Sequence, residues 1–125
     1  MAASEHLNPA QFSPDEVSAL RAGDFHGSIG DPAARSRFEL SSNQGDTRRP
    51  SHREAGGPLP HLDHFTEQVR KAGKITEPIE VDAHDDYFSI HDGHTRALAA
   101  HAAGLPLPYR IRRDDRYRDE HGNIV

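Results

Sequence analysis

The feature that most constrains this chain is the uneven spread of its large apolar residues. Leu, Ile, Val and Phe concentrate after Leu59, whereas the stretch from Gly23 to Gly57 is mostly Gly, Ser, Arg, Asp and Pro. A core needs a sustained apolar pattern, so the sequence predicts one small domain toward the C-terminus of the 125 residues, preceded by a looser extension. The apolar share of 34% is low for a globular chain, so that core is expected to be small and marginal. The expected division is residues 1–36 as an N-terminal extension with one short helix and partly disordered, 37–113 as the domain, and 114–125 as a charged tail.

Local signals place the elements. Ser13-Pro14-Asp15-Glu16 has the spacing of a capping box with proline at the first helical position, predicting a short helix through Val17, Leu20 and Ala22 to Gly23. Arg37-Phe38-Glu39-Leu40 alternates as a strand would, with Phe38 and Leu40 on one face. Ser41 to Pro60 is Gly- and Pro-rich and predicts a long connection carrying Arg48, Arg49 and Arg53. Leu62, Phe65, Val69 and Ala72 recur at helical spacing, with Asp63 in the first turn and Gly73 as the stop. Pro78 to Asp82 alternates, Asp85-Asp86 reads as a turn, and Phe88 and Ile90 form the return strand. Thr95 to Ala103 is Ala-rich and closes at Gly104, after which Leu107, Tyr109 and Ile111 alternate in a last strand. The class is α/β in the broad sense, more narrowly α+β: a short mixed sheet with two main helices.

Charge and composition exclude several functions. The net charge is −5 with histidines neutral, so no overall basic field draws the chain to nucleic acid. Arg110, Arg112, Arg113, Arg116 and Arg118 form a local basic stretch that could meet a nucleic-acid backbone, but Asp114, Asp115, Asp119 and Glu120 dilute it, and a solvated edge strand explains it better than a DNA contact does. Cysteine is absent, which removes disulfides, thiolate metal sites and a cysteine nucleophile. No signal peptide or membrane span is legible, so a cytoplasmic location without membrane partners is expected.

The sharpest motif is Ile90-His91-Asp92-Gly93-His94-Thr95-Arg96, running from strand directly into helix. Gly93 allows a tight turn and close approach of backbone to ligand. The following amides stand at a helix N-terminus, where the macrodipole favours an anion. His94 and Thr95 add donors, and Arg96 offers a planar fork suited to phosphate. Asp92 has the wrong sign for a bare phosphate; it could hold a metal ion, accept a hydroxyl proton or anchor Arg96. Asp-Gly is also a common turn dipeptide, so a merely structural cap accounts for the same residues. The surrounding His84, Asp85, Asp86, His91, Asp92 and His94 are rich in metal-ligating types, but their spacing is loose and His91 and Asp92 point to opposite faces of a strand.

In order of elements and in motif, the run from about Pro60 to Arg113 resembles the ParB/sulfiredoxin-like fold. The matching features are the helix Leu62–Ala72, the strand Pro78-Ile79-Glu80-Val81, its return Tyr87–Ile90, the turn Gly93-His94-Thr95-Arg96 and the strand Leu107–Ile111. The resemblance implies a nucleotide (ATP, ADP or CTP) held at Gly93, His94, Thr95 and Arg96. It also suggests Arg49 or Arg53 as a further phosphate contact. Sulfiredoxin activity needs a cysteine after the motif glycine, where this chain has His94. Partitioning ParB proteins carry Gly-Glu-Arg-Arg here and continue into a DNA-reading helix-turn-helix, for which no room is expected. The Asp-Gly-His-Thr-Arg form is similar to the free-serine kinases. By that likeness Asp92 would serve the phosphoryl transfer with Mg²⁺, and Glu54 would be the base that deprotonates a small hydroxyl-bearing substrate. A non-catalytic or nuclease-like module acting with DNA or a DNA-binding partner is the alternative.

Overall fold

Phe12 and Phe88 stand on strands at opposite edges of the sheet, yet their ring centroids are 5.1 Å apart, which requires the sheet to curl around its apolar face. The computed structural model describes residues 10–42 and 50–124. Its four strands are β1 (Gln11–Phe12), β2 (Ile79–Ala83), β3 (Phe88–Asp92) and β4 (Leu107–Asp114), in the order β1-β4-β2-β3. β2 runs antiparallel to β3 and parallel to β4, while β1 lies antiparallel to β4. The result is the small mixed-sheet α+β architecture that the pattern predicts.

Alternation along the strands sorts the two faces. Ile79, Val81, Ala83, Ile90 and Leu107 are buried on the inner face, and Val81 lies opposite both Ile90 and Ile111. Glu80, Asp82 and His91 occupy intervening positions and stay at least partly exposed, as expected for a sheet wet on one side. Within the curl, the ring of Phe12 stacks on Tyr109 at 3.9 Å.

The helices are α1 (Pro14–Ala19), α2 (Ala34–Ser42), α3 (Pro50–Ala55), α4 (Pro58–Ala72) and α5 (His94–Ala103). α5 packs on β2 and β4 and also against α4 and α1. Its alanines make this possible: Ala97, Ala99 and Ala100 are fully buried, and small side chains let neighbouring elements approach on more than one side. Both main helices end at glycines in the left-handed region, Gly73 and Gly104, as their sequences foretell. α4 begins four residues before the expected Leu62, at Pro58, so Asp63 lies beyond its first turn and pairs instead with Arg35 at 2.7 Å.

The segment before the predicted domain boundary belongs to the same core. Phe12, Val17, Leu20, Ile29 and Ala34 are buried in one cluster with the residues of β2, β3 and α5. The capping box at Ser13 forms in full, with Glu16 reciprocating to the Ser13 N–H. α1 stops at Ala19 rather than Gly23. Arg21 leaves the helix to pair with β3, donating its N–H to Phe88 O at 2.9 Å and accepting from the Ile90 N–H at 2.8 Å.

The predicted strand at Arg37–Leu40 is corrected: these residues lie in α2. Ala34 and Phe38, four apart, are the buried pair, whereas Leu40 is 66% exposed. A helical period therefore overrides the two-residue alternation, because a four-residue window cannot separate the two patterns. Part of the expected connection between Ser41 and Pro60 is likewise helical, as α3; Arg48 and Arg49 lie outside the described residues. Beyond β4, the tail folds back on itself through Asp114, which pairs with both Arg116 and Arg118. No helix among the described residues is long and apolar enough to cross a membrane.

Candidate functional site

The turn from β3 into α5 is set by what surrounds Gly93. Its φ is 110° and ψ 29°, and a Cβ there would stand 2.4 Å from Ile79 Cγ2. Only glycine fits both the backbone angle and the space. No side chain among the described residues caps α5, and the N–H groups at the start of any helix point away from its own carbonyls. Gly93, His94, Thr95 and Arg96 form one wall of a cleft of about 560 Å³.

Arg96 is braced at the edge of this cleft. Its Nη1 donates to Pro78 O at 2.5 Å and its Nη2 to Asp92 Oδ2 at 3.3 Å, while Glu77 Oε1 lies 3.9 Å away. The side chain is 17% exposed, so ordering of the fork is achieved before any ligand arrives. Of the three roles open to Asp92, the geometry realises the anchoring of Arg96.

His94 does not point outward as a donor, and that expectation is corrected. The side chain is 6% exposed, and its Nε2 accepts the N–H groups of Gly23 at 2.9 Å and Asp24 at 3.2 Å. A nitrogen accepting two N–H groups carries no proton, so the ring proton sits on Nδ1. That nitrogen lies 3.3 Å from Asp24 Oδ2. The imidazole thus fastens the chain after α1 to the start of α5. Gly23 is required for this approach, since a Cβ on it would stand 2.2 Å from Ile90 O.

Glu54 and Arg53 are exposed on α3 and neither lines the cleft. His52, one and two residues earlier, is buried and does. Positions two apart on a helix face in nearly opposite directions, so Glu54 cannot share the face that His52 turns toward the cleft. Arg49 lies outside the described residues. Among the described residues, the cleft carboxylates are Asp24 and Glu77, and its rings include His61 and Phe65 from α4. None of these carried a motif. Only the four-residue spacing of His61 and Phe65 marks them as sharing a helix face.

Metal ligation finds no preformed cage: among the described residues, no three His, Cys, Asp or Glu side chains group to hold an ion. The C-terminal arginines are largely compensated. Arg112 pairs with Asp82 at 2.8 Å, Arg113 with Asp115 at 2.9 Å, and Arg116 with Asp114 at 2.7 Å. The Arg112 guanidinium holds the Asp82 carboxyl below its ordinary value, and Arg116 holds that of Asp114 well below the usual carboxylate range. These pairs offset much of the local positive charge, while Arg110 stands exposed on β4.

Compared with protein-family models, with curated proteins and with solved structures, the chain matches none.

Proposed function

We propose that the cleft at the start of α5 binds a nucleotide, as its Mg²⁺ complex, with the phosphates against the first-turn amides of α5 and Arg96. The observation that carries this reading is an uncapped helix start opening, beside an ordered guanidinium, onto about 560 Å³ of space. The first turn of a helix and its macrodipole favour an anion there, and the planar fork of Arg96 suits phosphate oxygens. A volume of that size lies within the usual range for small-molecule sites.

Charge balance supports the magnesium complex over the bare anion. Arg96 is the only Arg or Lys among the described residues that line the cleft, which it shares with the carboxylates of Asp24 and Glu77. A free polyphosphate would meet net negative charge. Mg²⁺ is commonly held by one or two carboxylates together with substrate phosphates, which also fits the lack of a three-ligand cage. The ParB/sulfiredoxin-like resemblance of Gly93-His94-Thr95-Arg96 supports the same reading. Its enzymatic form is a phosphotransferase acting on a small hydroxyl compound. Asp24 and Glu77, rather than the outward Glu54, are then the carboxylates available to take the hydroxyl proton.

Isothermal titration with ATP, ADP and CTP, each with and without Mg²⁺, tests the reading. Binding should require Mg²⁺ and weaken strongly in both Arg96→Ala and Arg96→Lys, with circular dichroism verifying that each variant is folded. Absence of heat with every nucleotide in the presence of Mg²⁺ refutes it. Nucleotide turnover that depends on an added hydroxyl compound identifies the phosphotransferase.

A further inference from the structure

The rest of the cleft wall has a different chemistry from the α5 turn. A chain of aromatic rings leads away from the anion end. His94 contacts Phe25 at 5.9 Å, Phe25 contacts Phe38 at 6.4 Å, Phe38 contacts His52 at 6.2 Å, and His52 contacts His61 at 4.8 Å. Phe38 and His52 are buried. His61 and Phe65, one turn apart on α4, are only half-buried and both line the cleft. Aliphatic side chains would pack a helix as well as these do. Rings left half-open to a cleft offer something more, a flat polarisable surface on which another ring can stack.

We infer that His61 and Phe65 form a stacking ledge for the base of the nucleotide, so that the cleft recognises its ligand at two ends: phosphate at α5 and an aromatic ring at α4. This rests on the nucleotide reading above and deepens it, naming the residues that separate a nucleotide from a plain polyphosphate. Stacking is tolerant of base identity because every base has a π-face. The ledge therefore favours nucleotides over inorganic polyphosphate more than it favours one base over another.

The test is titration of the full chain at pH 8 with Mg²⁺–tripolyphosphate, Mg²⁺–ATP and Mg²⁺–CTP. Both nucleotides should bind at least about tenfold more tightly than tripolyphosphate, the range seen for a single stacked base. Phe65→Leu, which keeps apolar volume and removes the ring, and His61→Asn should each shrink that advantage about tenfold while leaving tripolyphosphate affinity unchanged. If tripolyphosphate binds as tightly as the nucleotides, or if the advantage survives both substitutions, the ledge is overturned and the phosphate reading stands. If none of the three ligands binds, the nucleotide reading itself has failed, and the ledge with it.

Discussion

Gly93→Ala is the substitution that most directly tests how the start of α5 is built. Two costs act together. At φ 110° an L-residue is outside its comfortable left-handed region, a strain of ~1–2 kcal/mol. The new methyl would also stand 2.4 Å from Ile79 Cγ2, 2.8 Å from Ile79 Cβ and 3.3 Å from Ile79 Cα. Ile79 is fully buried in β2 and cannot simply move away, so overpacking adds ~1–3 kcal/mol. Reduced freedom of the unfolded chain returns ~0.4–1 kcal/mol, for a net loss of about 1–5 kcal/mol.

Gly104→Ala is the internal control. Its φ of 68° lies inside the left-handed region and nothing lies within 4 Å of the added methyl, so the expected loss is only about 1 kcal/mol. Urea unfolding followed by far-UV circular dichroism gives both values, provided the slopes match the parent protein. The overpacking of ~1–3 kcal/mol should separate the two variants by roughly 4–12 °C in melting temperature, at about 4 °C per kcal/mol for a chain of this size. Equal losses would refute the argument that Ile79 enforces glycine at the turn.

His94→Leu keeps bulk but removes the acceptor shared by the Gly23 and Asp24 N–H groups; a loss of about 1–3 kcal/mol in urea unfolding is expected from stranding partly buried donors. Ser13→Ala should cost ~1 kcal/mol, because the capping box closes with both of its hydrogen bonds, and an unchanged midpoint would show that α1 is held by packing alone. Asp31, Asp63, Asp82 and Asp114 all have folded pKa values below their ordinary ones, Asp31 chiefly through the Ala33 N–H and the others through Arg35, Arg112 and Arg116 respectively. Their stabilisation is thus full above the unfolded carboxylate value near ~3.9 and is lost as pH falls through the folded values. Unfolding midpoints should drop on acidification below about pH 4, and Asp82→Asn should flatten that drop.

The elements that the sequence determined by itself are those whose causes lie within a few residues. Ser13 and Glu16 close a cap three positions apart, Gly73 and Gly104 end helices in the left-handed region, and Gly93 follows the last residue of β3. Each is a local interaction written in neighbouring side chains, and each was legible. At Phe38 four residues support either period, and burial against the core, not propensity, chose the helix.

The cleft belongs to the tertiary structure. Asp24, His52, His61, Glu77 and Arg96 come from five separate parts of the chain, and no spacing along the sequence announces that they meet. His94 shows the physical reason most clearly. Its motif position suggested a donor aimed at a ligand, but the ring's role was decided by two amide groups 71 and 70 residues away. Which partner a polar side chain takes depends on what the folded chain brings within about 3 Å of it, and residue order alone does not contain that distance.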